Sequence, residues 1–270
     1  MSLYISSLNS GSNGNCYYIG NDKEAVLVDA GLSCRETEKR MARSGLSMQT
    51  VQAIFVSHEH SDHIRGIANL ARKYQLPIYI TAKTLQNSRL TIADHLVKSF
   101  IGHQTFQIGD LIVSTFPKFH DAVEPHSFMV SYNAINVGIF TDIGNVCENL
   151  INHFKQCQAA FLESNYDDEL LERGTYPFFL KNRIRGGMGH LSNEQALNLF
   201  KVHRSPHLSH LLLSHLSKNN NNAVMTQQLF QEQATNVKVV IASREVETPV
   251  FKIVAESEIL FTEQSRVQQL

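Results

Sequence analysis

Six consecutive residues, His58-Glu59-His60-Ser61-Asp62-His63, bring three imidazoles and two carboxylates into one short stretch of chain. With thirteen histidines and nine aspartates in 270 residues, a His-x-His-x-Asp-His pattern arises by chance in about one such chain in a thousand. Imidazole nitrogen combined with carboxylate oxygen is the donor mixture that borderline divalent ions prefer. The run therefore reads as a metal-binding motif rather than as loop residues with ordinary hydrogen bonds. Further candidates stand where apolar stretches end: Asp29 before Ala30-Gly31, His120-Asp121, Thr141-Asp142-Ile143-Gly144, and Ser214-His215-Leu216-Ser217. One such histidine alone reads as a surface residue, but several beside a dense motif read as one site assembled from distant segments.

A site of this kind needs elements that converge on it. Apolar runs and turn residues predict strands over 3–8, 16–19, 25–29, 53–57, 78–81, 111–116, 127–131, 136–140, 159–162, 210–213 and 237–241. Helical spacing predicts helices over 36–44, 64–74, 146–156, 193–202 and 225–233. The motif thus lies on a tight strand-to-helix loop. Many strands with helices interspersed in both halves predict an α/β fold of two sheets packed face to face under helices, rather than one parallel sheet.

Composition narrows the possibilities. No Pro-, Gly- or Ser-rich linker divides the chain, which reads as one domain over residues 1–270 with 43% apolar residues for its core. A net charge of −1 and a pI near 6.9 exclude a general electrostatic footprint for nucleic acid, so any phosphate-binding surface must be local. Cys16, Cys34, Cys147 and Cys157 lack metal-finger or disulfide-framework spacing. The absence of a secretory-type start and of any long apolar run predicts a cytoplasmic protein that does not enter a membrane. The run Asn219 to Asn222 reads as a solvated loop.

The order Asp29, His58-x-His60-x-Asp62-His63, His120, Asp142, His215 resembles the metallo-β-lactamase superfamily over nearly the whole chain. Within it the chain is most similar to the WalJ/YycJ-type exonuclease family. That resemblance rests on Gly11-Ser12-Asn13-Gly14-Asn15-Cys16, His120-Asp121-Ala122 with Glu124-Pro125, Glu163-Ser164-Asn165-Tyr166-Asp167, and Tyr176-Pro177 with Leu180-Lys181 and Arg183-Ile184. It rests also on Gly189-His190-Leu191-Ser192-Asn193 and on His215-Leu216-Ser217 with Asn219-Asn220. It implies a four-layer αββα sandwich with two divalent metal ions, zinc or manganese, in a cleft at one sheet edge. One ion would sit on His58, His60 and His120, and a second on Asp62, His63 and His215. Asp142 would bridge them, Asp29 would fix an imidazole from behind, and Asp62 would be catalytic. Two such ions about 3.5–4 Å apart can generate a hydroxide near neutral pH and stabilise a phosphodiester displacement.

The activity so implied is a metal-dependent phosphodiesterase on nucleic acid, a 5′-to-3′ DNA exonuclease. The stretch from Asp142 to His215 is short for the inserted cap of RNA-processing members, which favours DNA. Hydrolysis of a thioester, lactone or lactam would use the same site, and a non-hydrolytic redox protein is a further alternative. Diiron redox relatives, however, usually carry Glu where this chain has His60. Ser192 and Gln195 have capping-box spacing, so a helix is expected to begin just after His190. Such an N-terminus attracts anions, and His190 is assigned a catalytic role, contacting phosphate or donating a proton. Lys181, Arg183, Ser192 and Asn193, with Arg185 nearby, are expected to hold substrate phosphate. Glu163, Asn165 and Tyr166 are left without a role, and the turn Gly11 to Asn15 is expected to line the cleft.

Overall fold

In this computed structural model residues 2–255 are described. The first half runs β1 (Ser2–Asn9), β2 (Cys16–Gly20), β3 (Ala25–Val28), α1 (Cys34–Arg43), β4 (Val51–Phe55), α2 (Ser61–Ile64), α3 (Ile67–Tyr74), β5 (Ile78–Thr81), α4 (Ala82–Ser88) and β6 (Val97–Phe100). The second runs β7 (Thr105–Ile108), β8 (Leu111–Pro117), β9 (His126–Tyr132), β10 (Ile135–Phe140), α5 (Glu148–Phe154), β11 (Ala159–Glu163), α6 (Asp168–Arg173), α7 (Phe178–Arg185), α8 (Asn193–His203), β12 (His210–Ser214), α9 (Ala223–Gln231), β13 (Lys238–Ile241) and β14 (Phe251–Val254).

Two seven-stranded sheets form, ordered β14-β1-β2-β3-β4-β5-β6 and β13-β12-β11-β10-β9-β8-β7. Period-2 alternation decides which side chains meet between them. Leu3, Ile5, Tyr17, Ile19, Val26 and Val28 face Val113, Phe128, Val130, Val137, Ile139 and Phe161 in the central core. The alternate residues point outward. Leu27 and Ile54 pack with Met41, Ile67 and Leu70 of α1 and α3. Leu162 and Leu213 pack with Phe154, Phe200 and Phe230 of α5, α8 and α9. The result is the expected αββα sandwich.

Both sheets change from antiparallel to parallel pairing partway across. The change comes at β3, which pairs antiparallel with β2 and parallel with β4, and at β10, antiparallel with β9 and parallel with β11. The carboxyl ends of β3 and β4, and of β10, β11 and β12, thereby become neighbours within each sheet, the usual place for a ligand in an α/β protein.

Several elements differ from the sequence expectation. The helix expected over 64–74 is two pieces, because Gly66 sits where the chain after β3 crosses it. Gly66 N donates to Ala30 O at 2.8 Å, and a Cβ at Gly66 would lie 2.1 Å from Leu32 O. The helix α8 starts as expected, with the full Ser192–Gln195 capping box. Strands β6, β7 and β14 and helices α4, α6 and α7 were not anticipated as elements. The run Asn219 to Asn222 is not simply solvated: Asn220 is buried, Asn221 Nδ2 donates to Ser164 O and Asn165 O, and Asn222 caps α9. The Asn221 amide thus satisfies the Ser164 carbonyl and adds a second donor to the Asn165 carbonyl, which also accepts from Ser217 N. No helix among the described residues is long and apolar enough to cross a membrane.

Candidate metal centre

Residues at the ends of five strands and of the loop after β8 converge at one sheet edge. Asp29, directly after β3, has a left-handed backbone (φ 59°) that turns its carboxylate under β4. Its Oδ1 accepts from Ser57 N at 2.8 Å, and its Oδ2 accepts from Ser57 Oγ at 2.7 Å and meets His63 Nδ1 at 2.7 Å. Ser57 Oγ also lies 2.8 Å from His58 Nδ1. One buried carboxylate thus fixes two rings and leaves their Nε2 atoms facing the cleft, the support that ligating histidines commonly have. The single-turn helix α2 presents Asp62 and His63 from the same loop.

The backbone around α2 is closely packed. Asp62 O accepts from Asn15 N at 2.7 Å, and a Cβ at Gly31 would lie 1.6 Å from that oxygen. Only glycine fits there. Gly31→Ala is expected to lower stability by about 2–3 kcal/mol through forced backbone movement and the melting midpoint by roughly 5–10 °C. Calorimetry checks this, and an unchanged midpoint would mean that the crossing of these loops is looser than described.

Two groups of potential ligands result. In the first, His58 Nε2 and His60 Nδ1 are 3.1 Å apart, and His60 Nδ1 and His120 Nε2 are 3.4 Å apart. In the second, Asp62 Oδ2 lies 3.6 Å from both His63 Nε2 and His215 Nε2. Asp142 stands between the groups: Oδ2 is 3.2 Å from His63 Nε2, and Oδ1 is 3.4 Å from His215 Nε2 and 3.7 Å from His120 Nε2. Tetrahedral coordination with bonds of about 2.0–2.1 Å has edges of roughly 3.3 Å, so these separations suit a common ion. Two buried atoms that point into the cluster, Asp142 Oδ2 and His215 Nε2, have no hydrogen-bond partner among the described residues. Buried polar atoms are rarely left so without a reason.

The electrostatics fit a cation as well. Burial pushes His58 and His120 down, His120 to about 3, keeping lone pairs available to a metal. Burial pushes Asp62 up, but His63 and His215 outweigh it and hold the carboxyl at about 2. Burial likewise opposes charge on His63, yet Asp142, Asp29 and Asp62 raise it to about 10. Carboxylates that draw protons so strongly demand positive charge, which divalent ions would also supply.

The Asp142 backbone is left-handed (φ 55°), and the peptide before it is held by buried Lys118, whose Nζ donates to Thr141 O at 2.7 Å. Glu163, without a role in the sequence reading, is completely buried at the end of β11. Its Oε2 accepts from Ile143 N at 2.8 Å and Leu191 N at 3.1 Å, and its Oε1 lies 2.8 Å from His190 Nδ1 and 3.4 Å from His215 Nδ1. Burial pushes Glu163 up, but His190 and His215 hold it at about 2, so it accepts and His190 Nδ1 donates. His190 stacks on His215 (centroids 5.2 Å apart, planes at 20°) with its ring partly exposed. Asn15 and Asn165, also overlooked as supports, reach Asp62 Oδ2 at 3.2 Å and His215 Nδ1 at 3.1 Å. Only the glycine-rich turn hinted at Asn15.

The expected phosphate residues divide. Arg183 is exposed and pairs with Asp121, next to His120, at the cleft rim. Lys181 is turned toward Glu172 O, and Arg185 pairs with Glu172. Ser192 and Asn193 serve the architecture instead. Both are buried, Ser192 caps α8, and Asn193 is held by Ser164, Asn221 and Thr226. The Asn193 amide has no group left for a phosphate, which corrects the sequence expectation for that residue. Tyr166 is buried and its backbone pairs with Ser192.

Residues 24–216 match the family model described as a beta-lactamase superfamily domain. Exodeoxyribonuclease YycJ of Bacillus anthracis is 38% identical over 229 residues, covering 82% of this chain and 85% of that protein. Exodeoxyribonuclease WalJ of Streptococcus pneumoniae is 34% identical over 261 residues, covering 92% and 97%. Among solved structures, the metallo-β-lactamase fold protein YhfI of Bacillus subtilis superposes with a TM-score of 0.71 at 18% identity, over 93% of this chain and 100% of that one. Sequence, layers and site geometry agree, and the chain belongs to the metallo-β-lactamase superfamily, in the family of the WalJ/YycJ-type proteins.

Proposed function

We propose that this protein is a cytoplasmic, metal-dependent phosphodiesterase that removes nucleotides from the 5′ end of DNA. The observation that carries the reading is that two adjoining ligand groups are flanked by a carboxylate–histidine pair, Glu163–His190, which adjoins Asp142 and His215. His58, His60 and His120 would hold one divalent ion and Asp62, His63 and His215 a second, with Asp142 shared; zinc or manganese suits so imidazole-rich a set. Ions bound there supply Lewis acidity toward a phosphodiester oxygen and an activated water. The chain does the rest. Asp29 and Ser57 hold the His63 and His58 rings, and Asn15 and Asn165 restrain Asp62 and His215. Glu163 accepts from His190 Nδ1–H and is the counter-charge for the ring when Nε2 also carries a proton; that Nε2 proton would pass to the departing sugar oxygen, leaving a neutral ring that keeps its Nδ1–H. Arg183, held at the rim by Asp121, would take a backbone phosphate. The near full-length similarity to two proteins named exodeoxyribonuclease supports DNA over a thioester, lactone or lactam.

The test is a duplex labelled differently at its 5′ and 3′ ends, incubated with manganese- or zinc-loaded protein. Early release of 5′-labelled mononucleotide is expected, abolished by chelation and strongly reduced in His58→Ala. No cleavage of duplex or single-stranded DNA by the loaded protein would end the DNA reading, and turnover of a thioester or lactone under the same conditions would replace it.

A further inference from the structure

Helix α7 buries none of its residues, yet it begins with two aromatic ones: Phe178 is 75% and Phe179 73% exposed. Solvent-exposed apolar clusters mark interaction sites more often than accidents of packing. The far end of this helix is tied into the metal-centre cleft. His190 N donates to Ile184 O at 2.8 Å, Arg183 pairs with Asp121, and Gly189 O lies 3.0 Å from His120 Nδ1. Phe179 and Arg183, four residues apart, share a helix face. Ile184 lies five residue steps beyond Phe179, about 7.5 Å of helix, or roughly two stacked nucleotide steps of about 3.4 Å.

A second exposed pair stands closer to the ligands. Phe119 directly precedes His120, is 47% exposed, and accepts from Gly144 N through its carbonyl at 2.6 Å. Gly144 in turn packs on the Met188 backbone: a Cβ there would lie 2.5 Å from Met188 Cα. Met188, 49% exposed and two residues before His190, is thus joined to the Phe119 segment through the Gly144 backbone. Among the described residues, the three phenylalanines left in solvent are Phe119, beside His120, and the pair that opens α7, the helix whose other end is tied to the cleft. Helix α7 also carries three basic residues and no acidic one; Lys181 and Arg185 are held by Glu172, and exposed Arg183 is held at the rim by Asp121. Aromatic faces interleaved with cations complement a polyanion whose bases are unpaired; a duplex would hide those bases, and an apolar protein partner would not call for the charge.

We propose that Phe178 and Phe179, with Phe119 and Met188 nearer the ligands, form a platform on which unpaired nucleobases stack while Arg183 takes a phosphate between them. This rests on the nuclease reading and adds to it that the enzyme engages frayed or single-stranded ends. The test uses manganese-loaded protein and two short single strands of equal charge, one with ordinary bases and one with abasic residues at the second and third positions from the 5′ end. Wild-type protein is expected to favour the base-bearing strand about tenfold or more, chiefly in KM. The double variant Phe178→Ala/Phe179→Ala should lose that preference, and Phe178→Trp/Phe179→Trp should retain it. Equal preference in wild type and alanine variant, or none in wild type, overturns the platform. Wild-type self-association dissolved by the alanine variant, with base preference unchanged, also overturns it and makes this rim a contact between copies. Should wild type cleave neither strand, the nuclease reading fails separately, and fluorescence anisotropy with the same strands still decides. Base-dependent affinity lost in the alanine variant supports the platform, and base-independent binding ends it.

Discussion

Asp142→Asn is expected to reduce kcat/KM by about a thousandfold or more while leaving the protein folded. The backbone tolerates the change: Asp142 occupies the left-handed region (φ 55°), which asparagine adopts as readily as aspartate, and the side chains are nearly isosteric. The loss is one of charge. Among the described residues, Asp142 is the one carboxylate in contact with both proposed ligand groups, through His63 and His215 on one side and His120 on the other. Burial pushes its carboxyl up, yet the surrounding histidines hold it well below the usual range. A neutral amide would leave the ions without a shared anion, and losing about 4 kcal/mol of charge stabilisation corresponds to about a thousandfold in rate. Two readouts check this. Metal content after dialysis should fall in the variant, and so should the rise in melting midpoint on adding manganese, which for a tight site at a hundred times Kd represents about 2.7 kcal/mol. A variant that kept full metal content and activity would remove Asp142 from the shared position.

The parts of this site that could be read from sequence are those whose meaning is local. His58 to His63 is contiguous, so its donor density is visible without a fold, and Ser192–Gln195 declares its helix start within four residues. The strand ends were legible because period-2 runs stop at Asp29, Asp142 and His215. Their left-handed backbones, which swing those side chains out of the strand alternation and into the cleft, were not. The edge strands β6 and β7 escaped because their exposed faces break the apolar pattern. Polarity alone misled at Asn219 to Asn222, where Asn220 is buried and the Asn221 amide serves the Ser164 and Asn165 carbonyls. Glu163 was hidden for the most general reason. Its partners Ile143, Leu191 and His190 come from segments brought to β11 only by the parallel pairing of β10, β11 and β12. Nothing in the residues on either side of Glu163 anticipates that convergence.

Glu163→Gln is the second substitution expected to be severe, with kcat falling about a hundredfold or more and KM changing little. Glutamine fills the same space, but it must place an NH2 group where Glu163 now only accepts. Whichever way the amide turns, it either faces the Ile143 and Leu191 N–H groups or meets the Nδ1 atoms of His190 and His215 with a donor. The His190 ring then loses the ionised partner that orients it through Nδ1–H and balances its charge when Nε2 also holds the proton to be given, and proton transfer by a positioned side chain is worth about 10²–10⁴ in rate. Glu163 is a positioning residue, since it acts through His190. A purely structural role for Glu163 would lower turnover on every substrate alike. A positioning role makes the loss depend on the leaving group: large for a natural dinucleotide, whose sugar oxygen needs a proton, and small for a nucleoside 5′-(p-nitrophenyl phosphate), whose nitrophenolate departs without one. His190→Ala should show the same dependence, and the double variant should be scarcely worse than either single one, because the two residues form one unit. Equal losses on both substrates would assign Glu163 to the architecture of the site and leave the proton to another donor.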